Sequence, residues 1–214
     1  MSHVMNTIPG DPEVRNSCGY FSLYNRVLSE LPHFLVELVA QKLCEAYETG
    51  RGVLIFGNGG SAALASHFAC DLGKGTAMLG NPNQRFKAIS LTDNTSLLTA
   101  WANDTSYDQV FAEQLRNIAQ AGDIVLAISA SGNSRNVLLG LEAGREAGTF
   151  NIGIAGFNGG KMKALCDLCI VIPSNNMQIV EDFQLSVSHA LFLLVCHSIQ
   201  AQAASVRSMA AGAA

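Results

Sequence analysis

The sequence predicts an α/β fold in which helices cover both faces of a doubly wound, five-stranded parallel sheet. Short apolar runs rich in β-branched residues alternate with longer segments whose apolar residues recur at helical spacing. This alternation is typical of parallel sheets, because each crossover places a helix on one face of the sheet. The predicted strands are, in chain order, residues 53–56, 86–91, 124–129, 151–155 and 168–173.

Five strands of this kind fit the flavodoxin-like strand order, in which ligands bind beyond the carboxyl ends of the strands. One extra helix is predicted before the first strand, over residues 20–50, and a long apolar helix is predicted over residues 179–207. The apolar positions that predict the first of these helices are Leu31, Phe34, Leu35, Leu38, Val39, Leu43 and Ala46. Because both helices compete for a limited core surface, we expect an oligomer. Burial within one chain, over the sheet edge, is the alternative.

The expected organisation is a single domain over residues 20–207. A flexible segment, residues 1–19, precedes it, and an Ala-rich, frayed tail, residues 208–214, follows. The length of 214 residues and the hydrophobic content of 49% suffice for one well-buried domain.

Composition also indicates the compartment and the partners. The net charge is −4 and the 13 basic residues are scattered, which argues against a nucleic-acid partner. No apolar run approaching the ~20 residues of a membrane span is expected, and the polar start is unlike a secretory signal. The six cysteines lie mostly in apolar segments, which favours reduced thiols in the cytoplasm. Cys166 and Cys169 form a CxxC pair that we interpret as core packing, with a redox or metal role as the alternative.

A serine-rich loop, SASGNS at residues 129–134, joins the third strand to the following helix, residues 135–147. A strand, a small polar loop and a helix together offer free backbone N–H groups and a positive helix end to an anion. Ser129, Ser131 and Ser134 would add hydroxyl donors, and Gly132 would allow close approach. The loop contains no lysine, so it is not a nucleotide-binding P-loop. It suits a small phosphorylated metabolite; an ordinary helix cap at Asn133 or Ser134 is the alternative.

A glycine-rich turn, NGGS at residues 58–61, follows the first strand and leads into a helix over residues 62–72. Asn58 and Ser61 could bind hydroxyls or phosphate, whereas Gly59 and Gly60 could simply form the turn. The polar loop after the second strand, with Asp93 and Asn94, is placed to contact a ligand or to cap the next helix.

Histidines and carboxylates recur on two distant helices. His67 and Asp71 are four residues apart and share one helix face. On the last helix, Glu181 and His189 are eight residues apart and point within roughly 80° of the same direction. Two imidazoles and two carboxylates could meet as a metal site or as a proton-transfer pair. The alternatives are an ordinary His67–Asp71 pair and a core histidine at position 189.

Taken together and in order, these motifs resemble the sugar isomerase (SIS) domain proteins of the phosphoheptose isomerase type. The motifs are GNGGS (57–61), His67, TDN (92–94), AND (102–104), SASGNS (129–134) and GGK (159–161). The resemblance covers roughly residues 20–200 and implies a flavodoxin-like homotetramer. It implies conversion of sedoheptulose 7-phosphate into D-glycero-D-manno-heptose 7-phosphate, with the phosphate held by the serine loop.

The resemblance also implies site roles. Asp71 falls at the position of the family's catalytic base and His189 at that of its acid. Zn²⁺, one ion per subunit, would be held by His67, Asp71, Glu181 and His189. The residues implied to bind substrate are Asn58, Gly59, Ser61, Asp93, Asn94, Ser129, Ser131, Ser134 and Glu181.

Two positions depart from the family pattern. Asp71 stands where the family has Glu, so its carboxylate reaches less far, and Glu181 stands where Gln is usual, which adds negative charge. The substrate or the rate could therefore differ from those of the family. Related SIS proteins bind the bacterial replication initiator and are not known as isomerases, so a non-catalytic, regulatory phosphosugar-binding protein is the alternative function.

Overall fold

The computed structural model describes residues 14–80 and 84–212 of the chain. Its strands are β1 (Gly52–Gly57), β2 (Lys87–Ser90), β3 (Ile124–Ser129), β4 (Phe150–Ala155) and β5 (Leu168–Val171). They form one parallel sheet in the order β2-β1-β3-β4-β5. This is the flavodoxin-like order, and the predicted fold class is confirmed.

Seven α-helices surround the sheet in the described part of the chain. They are α1 (Ser17–Glu30), α2 (His33–Thr49), α3 (Gly60–Cys70), α4 (Thr95–Asp104), α5 (Ala112–Ile118), α6 (Arg135–Glu146) and α7 (Met177–Gly212). Alternate residues of β1 enter two separate cores: Val53 and Ile55 face α1, α2, α3 and α7, whereas Leu54 and Phe56 face α5 and α6. Both faces of the sheet are therefore buried, as its nearly continuous apolar strands predict.

The extra N-terminal helix predicted over residues 20–50 is in fact two helices. α1 ends at Glu30 and α2 begins at His33, because Pro32 has no N–H to continue the first helix. Leu31, the residue before the proline, is extended, with φ −61° and ψ 135°. Of the predicted flexible segment 1–19, residues 1–13 lie outside the described part of the chain. Residues 17–19 already belong to α1.

The last helix, α7, is longer than predicted. It begins at Met177 and continues to Gly212, through most of the predicted tail; residues 213–214 lie outside the described part. Residues Met177–Ser205 are long and apolar enough to cross a membrane, with a mean hydropathy of 1.5. The expectation that no segment reaches that length is therefore wrong. Within the fold, 44% of the most apolar stretch is buried, and core helices meet the same criterion.

Candidate active site

The loops after β1 and β3 meet at the carboxyl edge of the sheet. These two strands are neighbours, and chain order reverses between them, since β2 lies on one side and β4 on the other. In sheets of this type the crevice at that reversal is where ligands bind. The glycine-rich turn and the serine-rich loop therefore lie at the expected place.

The serine-rich loop is supported by the loop that follows β4. Gly132 has φ +62°, and a Cβ there would lie 2.1 Å from the Gly159 carbonyl oxygen. The Gly132 carbonyl accepts from Met162 N at 2.9 Å, and Asn133 Oδ1 accepts from Lys161 N at 3.1 Å. Position 132 thus requires glycine for its backbone conformation and for its close packing.

Ser134 is the N-cap residue of α6, yet its side chain makes no capping hydrogen bond. The structure therefore does not show the alternative, an ordinary side-chain cap, at Ser134. Ser129 is 5% exposed, and Ser131 Oγ accepts from Asn133 N at 3.3 Å. Ser129 ends β3, Ser131 lies in the loop and Ser134 precedes the first turn of α6, an arrangement that suits an anion.

The glycine-rich turn is held by its own asparagine. Asn58 Oδ1 accepts from Asn136 Nδ2 at 2.8 Å and from the Tyr107 hydroxyl at 2.9 Å. Gly59 is exposed with φ +55°, which favours glycine, and Ser61 is 8% exposed, beneath Gly57. The turn can therefore offer backbone groups to a ligand, while the Asn58 side chain also links two segments of the protein. Its expected role as a substrate ligand stays a prediction.

Two histidines and an aspartate form the reactive cluster. His67 Nε2 lies 3.0 Å from His189 Nε2 and 3.3 Å from Asp71 Oδ2, and one ligand atom from each residue lies within 4.8 Å of the others. Asp71 stands where α3 passes into a π-helical turn, Asp71–Gly75. Such turns are frequent at functional sites. The predicted meeting of His67, Asp71 and His189 is confirmed.

Glu181 does not join this cluster. α3 and α7 run side by side in the same direction: Glu181 lies beside Gly60, and His189 lies beside His67. Eight residues of helix separate Glu181 from His189 by about 12 Å along the axis. Glu181 instead lines a cavity of about 380 Å³ together with His67, Gly60 and Asp182. It lies outside the group of three ligand atoms, and its role as a fourth metal ligand stays a prediction.

Asp93 and Asn94 lie in a different cavity, of about 900 Å³, which Ser66, Cys70 and Lys74 also line. The Asp93 carboxylate accepts a short hydrogen bond from the Ser66 hydroxyl. Asn94 Oδ1 accepts from Leu97 N at 3.0 Å and thereby caps α4. The capping alternative is confirmed for Asn94, and neither residue lines the cavity that His67 and Glu181 share.

The cysteines are free thiols. Burial, and secondarily the negative charge of Asp71, raises the pKa of Cys196. Cys166 and Cys169 pack against the core, where their sulfurs fill the space over the side-chain-free Gly153. The thiol–thiol hydrogen bond raises the pKa of Cys166 and lowers that of Cys169. The packing interpretation of this pair is supported.

Sequence reasoning missed Asn136 and Tyr107, whose side chains hold the glycine-rich turn. Asn136 follows the serine loop in the first turn of a helix, where an asparagine side chain readily binds nearby polar groups. This amide beside a candidate binding loop was the available signal. Tyr107 lies in a short 3₁₀ helix, Tyr107–Gln109, and offered no such signal.

Comparison with known proteins places this geometry in a family. Residues 20–156 match the SIS domain model. The chain is 38% identical to the phosphoheptose isomerase of Pelobacter propionicus over 81% of its own length and 90% of that protein. It is 39% identical to that of Trichlorobacter lovleyi, over 82% and 88%.

A solved structure shows the same architecture. The phosphoheptose isomerase of Neisseria gonorrhoeae superimposes with a TM-score of 0.74 at 30% identity, covering 86% of this chain and 96% of that one. The expected resemblance is confirmed, and the chain belongs to the phosphoheptose isomerase family of SIS domain proteins.

Proposed function

We propose that this chain is an aldose–ketose isomerase that converts sedoheptulose 7-phosphate into D-glycero-D-manno-heptose 7-phosphate. The observation that carries the proposal is the cluster of His67, Asp71 and His189, which the packing of α3 against α7 brings together. Two relatives that are named phosphoheptose isomerase, at 38% and 39% identity, support the substrate.

The reaction moves one proton between two carbons. In the ketose-to-aldose direction a base removes a proton from C1, and the C–H electrons form a C1–C2 double bond while the C2 oxygen accepts a proton. The enediol then loses the O1 proton, C1 becomes the carbonyl carbon, and C2 receives a proton. One group must serve the carbons and another the oxygens.

Asp71 is proposed as the carbon base and His189 as the group that exchanges protons with the oxygens. Asp71 is only partly buried, and His189 is exposed, so both can reach a bound sugar. His67 contacts both side chains and holds them in one orientation. The serine loop would bind the phosphate through hydroxyls and the first N–H groups of α6, at a fixed distance from the reacting carbons.

Zn²⁺ fits the cluster. Ligand atoms around a tetrahedral zinc ion lie about 3.3 Å apart, close to the 3.0 Å and 3.3 Å that separate His67 Nε2 from its two neighbours. His67, Asp71 and His189 would hold the ion, which would polarise the substrate's oxygens. Three protein ligands leave a coordination position open, as is typical of catalytic zinc sites.

Self-association into a homotetramer is supported by apolar side chains on the terminal helices. Phe34 is 70% exposed, Leu193 is 65% exposed and Phe21 is 62% exposed. They belong to α2, α7 and α1, which share one layer of the fold. Free thiols at all six cysteines support a reducing, cytoplasmic location.

The test is to incubate the purified chain with sedoheptulose 7-phosphate in D₂O, with and without Zn²⁺, and to follow the products by NMR. We expect the aldose phosphate with deuterium at C2. Ketose phosphates with fewer carbons serve as matched substrates for chain-length specificity. An absence of both conversion and carbon-bound deuterium for every substrate would favour the non-catalytic, regulatory alternative.

A further inference from the structure

The glycine-rich turn and the serine-rich loop are joined by a pair of asparagines. Asn58 Nδ2 donates to Asn136 Oδ1 at 2.9 Å, and Asn136 Nδ2 donates to Asn58 Oδ1 at 2.8 Å. The two amides therefore bind each other reciprocally. Asn58 directly follows β1, and Asn136 lies two residues after Ser134, so the pair spans the crevice between neighbouring strands.

Tyr107 adds a third segment to this link. Its hydroxyl donates to Asn58 Oδ1 at 2.9 Å, from the short 3₁₀ helix between α4 and α5. The tyrosine side chain is otherwise 59% exposed. A mostly exposed ring contributes little to the hydrophobic core. The hydrogen bond from the hydroxyl to the turn is therefore the main interaction of this side chain.

The two amide oxygens are occupied by the protein itself. Asn58 Oδ1 accepts two hydrogen bonds, which fill both of its acceptor positions. Asn136 is 2% exposed, and its Oδ1 also accepts from Val137 N at 3.0 Å. A partly buried network of this kind, with Asn136 at its buried end, favours one arrangement of the segments that it joins.

We propose that Tyr107 and Asn136 are positioning residues, which act through Asn58 to hold the glycine-rich turn at a fixed place relative to the serine-rich loop. This inference rests on the proposed isomerase function. The serine loop binds the phosphate end of the substrate, and the turn lies where α3 begins, the helix that carries His67 and Asp71. The network thereby sets the distance between the anchored phosphate and the reacting carbons.

Loss of the network has a distinctive consequence. Phosphate binding depends on the serine loop and is retained, whereas the orientation of the carbons is disturbed. Misplacement by about 1 Å can reduce a rate by about 10²-fold. We therefore expect kcat to fall by about 10-fold in Tyr107→Phe and by about 100-fold in Asn136→Asp, which sets an oxygen against Asn58 Oδ1.

The experiment measures kcat and KM for sedoheptulose 7-phosphate, the Kd for inorganic phosphate and Tm, for the unmodified chain, Tyr107→Phe, Asn136→Asp and the double variant. Tyr24→Phe is the matched control, since it removes a hydroxyl bonded to Ser186 on α7, away from both loops. We expect kcat to fall while the phosphate Kd is unchanged, and the double variant to lose less than the product of the single losses.

Tyr107→Phe decides the matter even where Asn136→Asp does not fold, because its ring is mostly exposed. An unchanged kcat in Tyr107→Phe, or a fall matched by the Tyr24→Phe control, overturns the inference while the isomerase function stands. An unmodified chain that converts no sugar phosphate overturns the proposed function, and the inference with it.

Discussion

The Nε2 atoms of His67 and His189 lie 3.0 Å apart, although 122 residues separate the two histidines along the chain. They meet because α3 and α7 run side by side in the same direction, with Glu181 beside Gly60 near one end and Phe192 beside Gly75 near the other. The Asp71 carboxylate lies 3.3 Å from His67 Nε2 and completes the cluster of three side chains. Neither helix could form this cluster alone.

The first prediction concerns Asp71 as the base. Asp71→Asn removes the proton acceptor but preserves the side-chain shape, so substrate binding should persist while kcat falls by about 10²–10⁴-fold. Steady-state kinetics with sedoheptulose 7-phosphate measure the change. Glu142→Gln, an exposed acid on α6, is the matched control and should retain full activity. Wild-type turnover in Asp71→Asn would remove Asp71 from the mechanism.

The second prediction concerns metal binding. His67→Ala and His189→Ala should each weaken Zn²⁺ binding by more than about 100-fold, which exceeds the 10–100-fold effect of residues that only orient ligands. Glu181→Gln should leave the affinity close to that of the unmodified chain, because Glu181 lies outside the cluster. Calorimetric titration with Zn²⁺ tests both. Equal losses of Zn²⁺ affinity in Glu181→Gln and His67→Ala would show that Glu181 is also a metal ligand.

The third prediction concerns the serine loop. Ser131→Ala should weaken sugar-phosphate binding by about 1–3 kcal/mol, or about 5–150-fold, because a phosphate oxygen loses its hydroxyl donor. Ser29→Ala on α1, whose hydroxyl binds only a local carbonyl, is the control. Equilibrium binding of sedoheptulose 7-phosphate is the measurement. Unchanged affinity in a variant that lacks Ser129, Ser131 and Ser134 hydroxyls would contradict the phosphate role.

The fourth prediction concerns assembly. The chain should sediment at about four times its 22.6 kDa mass at micromolar concentration. Leu193→Glu places a charge in the proposed interface and should dissociate the oligomer, since burying an unpaired charge is costly. Ile118→Glu, on α5 across the sheet, is the control at 40% exposure. Sedimentation of the unmodified chain as a monomer would refute the proposal.

The fifth prediction concerns the contact of α1 with α7. Burial, together with a short hydrogen bond to Asp182, raises the pKa of Tyr20 from 10.0 to about 12. The folded chain therefore keeps this proton where the unfolded chain loses it. The stabilisation is fully present below pH 10 and is lost as the pH rises through about 12. The stability difference from Tyr20→Phe should shrink over this range in denaturant titrations; a constant difference would contradict the shift.

Local patterns were sufficient for the strands. β3 matches its predicted bounds, and the other four strands differ from theirs by no more than two residues at either end. Continuous apolar runs and β-branched composition are properties of a few neighbouring residues, so a strand can be recognised without its partners. The division of residues 20–50 into two helices could also have been predicted, because Pro32 interrupts a helix.

The site shows where sequence reasoning stops. Helical spacing placed His67 and Asp71 on one face, and the same rule grouped Glu181 with His189. Spacing gives the direction in which a side chain leaves its helix. It does not give the position that the side chain reaches along a neighbouring helix. The pairing of α3 with α7 decided that His189 meets His67 and that Glu181 meets Gly60 instead.

The sequence by itself determined the parallel sheet, the glycine-rich turn and the serine-rich loop, and the residue types available for acid–base chemistry, because these depend on local pattern. Only the tertiary structure decided that Asn58 binds Asn136 and Tyr107, that Asn94 caps α4, and that three of the four predicted ligands converge. Those outcomes depend on contacts between segments far apart in the chain, and their geometry is set by the packing of whole helices against the sheet.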